Sequence, residues 1–112
     1  MVEDEPNIAA IILFKLAREG HSVRHAEDAA ELHAELQRFH PDLVLLDSTL
    51  PDADALAELR DLRDRCAVAF MTEFRDCATP EQARAAGARA VIEKPFKPTQ
   101  LARLVAELCP RR

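Results

Sequence analysis

Five residues that could take part in chemistry follow apolar runs of this sequence. They are three carboxylates, one hydroxyl and one ammonium, namely Glu3, Asp4, Asp47, Thr72 and Lys94. Carboxylates that crowd together repel one another unless a cation joins them. A set of oxygen ligands without histidine or cysteine favours a hard ion, and Mg²⁺ is the best fit. The residue types therefore point to a magnesium site.

A Mg²⁺ ion held by carboxylates can also hold phosphate oxygens, which suggests phosphoryl chemistry. Asp47 could attack phosphorus and become an aspartyl phosphate. Lys94 would then neutralise charge on the transferred group, and Thr72 could donate a hydrogen bond to one of its oxygens. This chemistry requires a fold that brings residues from distant parts of the chain together.

The stretch Pro41–Pro51, with the sequence PDLVLLDSTLP, carries Asp47 and predicts the central element of that fold. Residues 43–46 form a continuous apolar run without alternation. Such a run is typical of a strand in a parallel sheet that helices cover on both faces. The carboxyl end of such a strand is where open α/β sheets place their ligands, and Asp47 lies there.

Around this strand the sequence alternates between strand and helix patterns five times. Helices are predicted over Asn7–Glu19, from Asp28 to about Phe39, after Asp52 and Asp54, from Thr79 to Gly87 and from Pro98 onwards. The other predicted strands are Met1–Val2, a weak segment around Val23, Cys66–Met71 and Ala90–Ile92. The alternation predicts a three-layer α/β domain with a parallel sheet. Its strand ends would bring the five polar residues to one edge.

The composition excludes several classes of protein. A chain of 112 residues predicts one domain, and a net charge of −5 does not indicate a nucleic-acid surface. The sequence contains no candidate membrane span. Gly20 and Gly87 each follow a helical pattern and are predicted to end helices. Two glycines cannot also build a glycine-rich phosphate loop. Three cysteines without a CxxC pair suit a reducing compartment, which predicts a cytoplasmic protein.

Four segments resemble the receiver domain of bacterial two-component response regulators. They are VEDEPNI at the start, PDLVLLDSTLP, FMT, and GARAVIEKPF near the end. The resemblance covers essentially the whole chain. It implies a flavodoxin-like three-layer sandwich with a five-stranded parallel sheet in the order 2-1-3-4-5. It also implies a single receiver domain over residues 1–112, without an output domain.

The resemblance assigns a role to each residue of the site. Asp47 would be the phosphoacceptor, Lys94 would contact the phosphoryl group, and Thr72 would reorient towards it. Asp4 and Asp47 would bind Mg²⁺ directly. Glu3 would act through a water, and the backbone carbonyl of Thr49 would complete the site. A cis peptide is implied between Lys94 and Pro95.

Several features depart from the family pattern, and three of them bear on the site and its output. The first strand is truncated, because only Met1 and Val2 precede the acidic residues. Glu73 stands where a small residue is usual, and its carboxylate would crowd Asp47 and repel a phosphodonor. Val91 stands where an aromatic residue usually moves with the threonine, so the coupling between Thr72 and an output surface is in question.

Three functions are therefore compared. The first is a signalling domain that receives a phosphoryl group from a histidine kinase or phosphotransfer protein and is not otherwise an enzyme. Its output would be a protein contact through the face formed by Pro80–Gly87, Val91 and Leu101–Leu108. The second is a degenerate pseudoreceiver, a phosphorylation-independent interaction module. The third, a phosphatase of the haloacid dehalogenase type, would need an Asp where Thr49 stands.

Overall fold

Three parallel strands form the sheet in the part of the chain that the structure describes. The structure is a computed structural model that describes residues 1, 6–73 and 79–109. Strand β1 is Leu43–Asp47, β2 is Ala67–Glu73 and β3 is Ala90–Lys94, in the spatial order β1-β2-β3. In the register, Asp47 lies opposite Met71 and Glu73 lies opposite Lys94. The carboxyl ends of the three strands therefore meet at one edge.

Five helices accompany the strands within the described residues. They are α1 (Pro6–Arg18), α2 (Ala29–Leu36), α3 (Ala55–Leu62), α4 (Pro80–Ala85) and α5 (Pro98–Leu108). One helix follows each strand, as expected for right-handed parallel crossovers. None of these helices is both long enough and apolar enough to span a membrane.

Each face of the sheet has its own apolar core. Val68 and Phe70 of β2 belong to a first core that also contains residues of α2, α3 and α4. Ala69 and Met71 belong to a second core that contains residues of α1 and α5. This alternation follows from the two-residue period of a strand. The predicted three-layer α/β fold with a parallel sheet is confirmed.

Local sequence signals determine several of the helix ends. Asp28 and Asp54 are the N-caps of α2 and α3, and Thr79 forms a capping box at α4. Gly20 and Gly87 have φ values of 91° and 112°, as predicted for residues that end helices. Helix α2 ends at Leu36 rather than near Phe39. The ring of Phe39 instead lies under the guanidinium of Arg24, 5.0 Å from it.

The beginning of the chain pairs with the segment before α2. The ammonium of Met1 donates to the carbonyl of Arg24 at 2.8 Å, and the N–H of Ala26 donates to the carbonyl of Met1 at 2.9 Å. This is the hydrogen-bond pattern of a parallel pair. Burial lowers the pKa of the Met1 ammonium to about 6, with the charge of Glu35 acting in the opposite direction.

The predicted second strand around Val23 is described only where it pairs with Met1, through Arg24 and Ala26. Within residues 21–26 only Ala26 makes a bridge. Its neighbour in the predicted order is the truncated first strand, of which Met1 is described and Val2 is not.

Candidate functional site

A buried ion pair lies at the carboxyl edge of the sheet. The ammonium Nζ of Lys94 is 3.2 Å from Oδ2 of Asp47, and the two side chains are 8% and 4% exposed. Asp47 ends β1 and Lys94 ends β3, so the lysine side chain reaches across the end of β2. Two of the predicted site residues, 47 positions apart in the sequence, are thus in direct contact.

The turn after Asp47 is fixed by its own hydrogen bonds. The N–H of Ser48 donates to the carbonyl of Met71 at 2.7 Å, which extends the ladder between β1 and β2. The N–H of Thr49 donates to Oδ1 of Asp47 at 3.4 Å. Leu50 is buried in the first core. These contacts keep Thr49 beside the carboxylate, as expected if its carbonyl is to serve the same site.

Thr72 lies at the same edge. It is the next residue after Met71, which pairs with Asp47 in the register, and it is 2% exposed. Asp47 and Thr72 are the buried polar residues among the described part of the chain. Burying polar groups is unfavourable unless they are paired, so their placement at this edge is consistent with a site.

Glu73 and Val91, two of the departures from the family pattern, lie in different surroundings. Glu73 is exposed at the end of β2, opposite Lys94 in the register. Val91 is half-buried and packs against the first core. Whether Glu73 gates the site, and whether Val91 breaks the coupling, both stay predictions.

The predicted metal ligands are only partly described. Glu3 and Asp4 lie outside the described residues. Within residues 1, 6–73 and 79–109, no three His, Cys, Asp or Glu side chains lie together as a metal site. The described donors are the Asp47 carboxylate and the Thr49 carbonyl. Both are oxygen ligands of the kind that Mg²⁺ prefers, so this donor set fits the ion.

Asp52 makes a long-range contact that the sequence does not predict. Asp52 lies just before the third helix, as the sequence predicts, but its side chain contacts the second helix instead. Its two carboxylate oxygens accept the N–H groups of Ala29 at 2.8 Å and Ala30 at 3.0 Å, at the start of α2. Asp54 alone caps α3, accepting from Leu56 at 3.0 Å.

The contact changes the ionisation of Asp52. The hydrogen bond from Ala29 lowers the pKa of its carboxyl, burial acts in the opposite direction, and the bond from Ala30 adds to the lowering. Accepting bonds from N–H groups favours the ionised form. No local pattern could reveal this contact, because the partners are 22 and 23 residues away.

The two described cysteines are not activated. Burial is the main cause that raises the pKa of the Cys66 thiol and of the Cys109 thiol. A raised pKa disfavours the reactive thiolate.

Comparisons with known proteins agree with the geometry. Residues 1–106 match the family described as response regulator receiver domain. The crystal structure of the receiver domain of NtrX from Brucella abortus is 30% identical. It superposes with a TM-score of 0.88 over 99% of this chain and 97% of that one.

Two curated relatives are similar over most of this chain but are longer. The transcriptional regulatory protein TrcR of Mycobacterium tuberculosis is 32% identical, with 96% of this chain and 42% of the relative covered. The DNA-binding response regulator MtrA of Mycolicibacterium smegmatis is 32% identical, with 96% and 49% covered. The chain thus spans less than half the length of these two regulators.

Proposed function

Because this chain belongs to the response regulator receiver domain family, we propose that it receives a phosphoryl group on Asp47 in two-component signalling. The donor would be a histidine kinase or a phosphotransfer protein. The observation that carries this proposal is the buried contact between Asp47 and Lys94 at the carboxyl edge of the sheet. A carboxylate and an ammonium held together there are the nucleophile and the charge-neutralising group that phosphoryl transfer needs.

In the proposed step, a carboxylate oxygen of Asp47 forms a bond to phosphorus as the P–N bond of a phosphohistidine breaks. The electron pair of that bond returns to the imidazole, which takes up a proton. Lys94 already lies 3.2 Å from Oδ2 of Asp47, so its charge faces the incoming phosphoryl oxygens. Thr72 would then donate its hydroxyl to one of these oxygens.

The proposed metal site uses residues on two parts of the chain. Asp4, Asp47 and the carbonyl of Thr49 would hold Mg²⁺ directly, and Glu3 would act through a water. When bound, the ion would neutralise negative charge on the phosphoryl oxygens. The oxygen chemistry of the Asp47 carboxylate and the Thr49 carbonyl supports this assignment.

The output is proposed to be a protein contact. The face formed by α4, β3 and α5, over Pro80–Gly87, Val91 and Leu101–Leu108, would meet a downstream protein. In α4, Ala83 is buried, whereas Glu81 and Arg84 are exposed and available to a partner. The net charge of −5 supports a protein rather than a nucleic acid as the direct partner of this domain.

A phosphorylation-independent interaction module is the second candidate, and Val91 is the observation that favours it. A valine side chain has no aromatic ring that could move with Thr72. Addition of beryllofluoride, a phosphoryl mimic, separates the two candidates. Amide NMR shifts around Val91 would support a switching receiver, and their absence in a protein that binds the mimic would support the module.

Asp47→Asn is expected to abolish covalent labelling by acetyl phosphate in the presence of Mg²⁺. The amide oxygen is a much weaker nucleophile than the carboxylate it replaces. Intact-mass spectrometry would measure the addition of one phosphoryl group to the wild-type chain and none to the variant. Asp61→Asn, at an exposed position of α3, is the control and should be labelled normally. Labelling that persists in Asp47→Asn would contradict the proposal.

A further inference from the structure

A cavity of about 270 Å³ lies at the amino end of β1, the opposite end of that strand from Asp47. Its walls come from α1, α2, β1, α5 and the segment over residues 21–26. Protein interiors are close-packed and contain few voids larger than a water molecule. A cavity of about 150 Å³ is already large enough to bind benzene. The space at this end of the sheet therefore suits a small organic molecule.

The wall of the cavity is largely apolar and is shared by both cores. Its buried apolar residues are Leu16, Leu32, Leu36, Val44, Leu45 and Val105. Exposed residues such as Ser22 and His40 also line it, so the cavity opens to solvent. An apolar molecule that enters from this side can therefore bury its surface between the two cores, which is favourable.

One polar group of the cavity has hydrogen-bond donors to spare. Met1 lines the cavity, and its ammonium carries three N–H donors. Among the described residues, the carbonyl of Arg24, at 2.8 Å, is the one acceptor that it contacts. Burial lowers the pKa of this ammonium to about 6, and the charge of Glu35 opposes the shift only in part. A cation with too little water and too few acceptors favours an anion that brings both charge and acceptor oxygens.

The acidic residues of the cavity do not supply that anion. Glu35 forms an ion pair with the guanidinium of Arg24 at 3.4 Å. Asp42 is exposed at the rim. The other titratable side chains of the wall are those of His21, His25, His40 and Cys109. Burial raises the pKa of the Cys109 thiol, so this group is neutral. The described wall thus holds no carboxylate in hydrogen-bond contact with the ammonium.

We propose that this cavity binds a small monocarboxylate with an apolar body, whose carboxylate accepts hydrogen bonds from the ammonium of Met1. The apolar body would lie between Leu36 on one side and Val105 on the other. The site is about 13 Å along β1 from Asp47, so it does not depend on the proposed phosphoryl transfer. The Met1 amine is mostly neutral at pH 7, and binding would therefore be accompanied by uptake of a proton.

Hexanoate is the probe for this site, and hexan-1-ol and hexylammonium are its neutral and cationic counterparts. Amide NMR titrations at pH 6, where about half of the ammonium is charged, would measure the three dissociation constants. We expect saturable shifts at Val23, Ala26 and Leu43, which line the cavity. Hexanoate should bind about tenfold more tightly than hexan-1-ol, because hydrogen bonds between charged groups are the stronger ones. Hexylammonium should bind most weakly.

Val23→Phe and Leu104→Phe are the matched variants. Both residues are half-buried and pack against the second core, but of the two Val23 alone lines the cavity. Val23→Phe fills part of the space and should weaken hexanoate binding about tenfold. Leu104→Phe should bind hexanoate like the wild type.

Three results would overturn the proposal. Equal affinity for hexanoate and hexan-1-ol would remove the role of the ammonium. An absence of saturable shifts at Val23, Ala26 and Leu43 would show that the cavity is not a binding site. Equal hexanoate affinity in Val23→Phe and wild type would place the probe elsewhere on the protein. If Val23→Phe does not fold, the comparison of hexanoate with hexan-1-ol on the wild-type chain decides alone.

Discussion

Lys94→Met is expected to lower the free energy of unfolding by about 3 kcal/mol. The substitution keeps most of the volume of the side chain and removes its charge. The carboxylate of Asp47 is 4% exposed and would lose the ammonium that lies 3.2 Å from it. Removing one partner of a buried ion pair leaves an uncompensated charge, which is far more costly than losing an exposed pair. Urea denaturation followed by circular dichroism at neutral pH would measure the change.

Lys15→Met is the matched control for this effect. Lys15 pairs with Glu19 at 3.3 Å, but the two side chains are 32% and 43% exposed. Exposed pairs of this kind contribute about 0.5 kcal/mol or less. The same chemical change should therefore have a small effect in α1 and a large one at the sheet edge.

The double variant Asp47→Asn/Lys94→Met identifies the origin of the loss. If the cost of Lys94→Met comes from the unpaired carboxylate, replacing that carboxylate by an amide should restore part of the stability. The two substitutions would then be non-additive, as expected for residues in contact. Additive losses would mean that Lys94 stabilises the fold through its packing alone.

Labelling by acetyl phosphate should also be weaker in Lys94→Met, because the incoming phosphoryl group would lose its neutralising charge.

Phe70→Ala is expected to destabilise the protein by about 4 kcal/mol. Phe70 is fully buried in the middle of β2 and belongs to the first core, between the sheet and helices α2 to α4. Its removal leaves a cavity that the surrounding strands and helices can fill only in part. The midpoint of chemical denaturation would report the loss, with an unchanged slope if the unfolded state is the same.

Phe14→Ala is the comparison for Phe70→Ala. Phe14 lies on α1 with 66% of its surface exposed, and the guanidinium of Arg18 is 5.6 Å from the centre of its ring. Surface substitutions of this kind usually change stability by less than about 0.5 kcal/mol. A similar loss in both variants would contradict the placement of Phe70 in the core.

The sequence predicts the parts of this fold that depend on short-range patterns. The continuous apolar run before Asp47 predicts β1, and the alternation of strands and helices predicts that Asp47, Thr72 and Lys94 meet at one edge. This juxtaposition is a property of parallel sheets, so topology alone brings Asp47 and Lys94 together. The N-caps Asp28, Asp54 and Thr79 can also be predicted from the sequence, because each accepts a hydrogen bond from a residue no more than three positions further along the chain.

The contacts that escape prediction join distant segments without a repeating pattern. Asp52 belongs by sequence to the start of α3, where an acidic residue suits the helix dipole, yet its carboxylate binds α2. Which N–H groups the Asp52 carboxylate binds depends on where the loop passes the start of α2. That position is determined by the packing of the sheet and helices, not by the local sequence.

The half-buried ammonium at the start of the chain couples folding to the release of a proton. The ammonium of Met1 has a pKa of about 6 in the folded protein, against an ordinary value of 8.0. At pH 7 it is therefore mostly neutral when the chain is folded and mostly charged when it is unfolded, so folding gives up most of one proton. The unfolded chain binds more protons between about pH 6 and pH 8, and stability accordingly rises with pH across this interval and levels off above it. The heat of folding measured near pH 7 would then depend on the ionisation enthalpy of the buffer that takes up the proton.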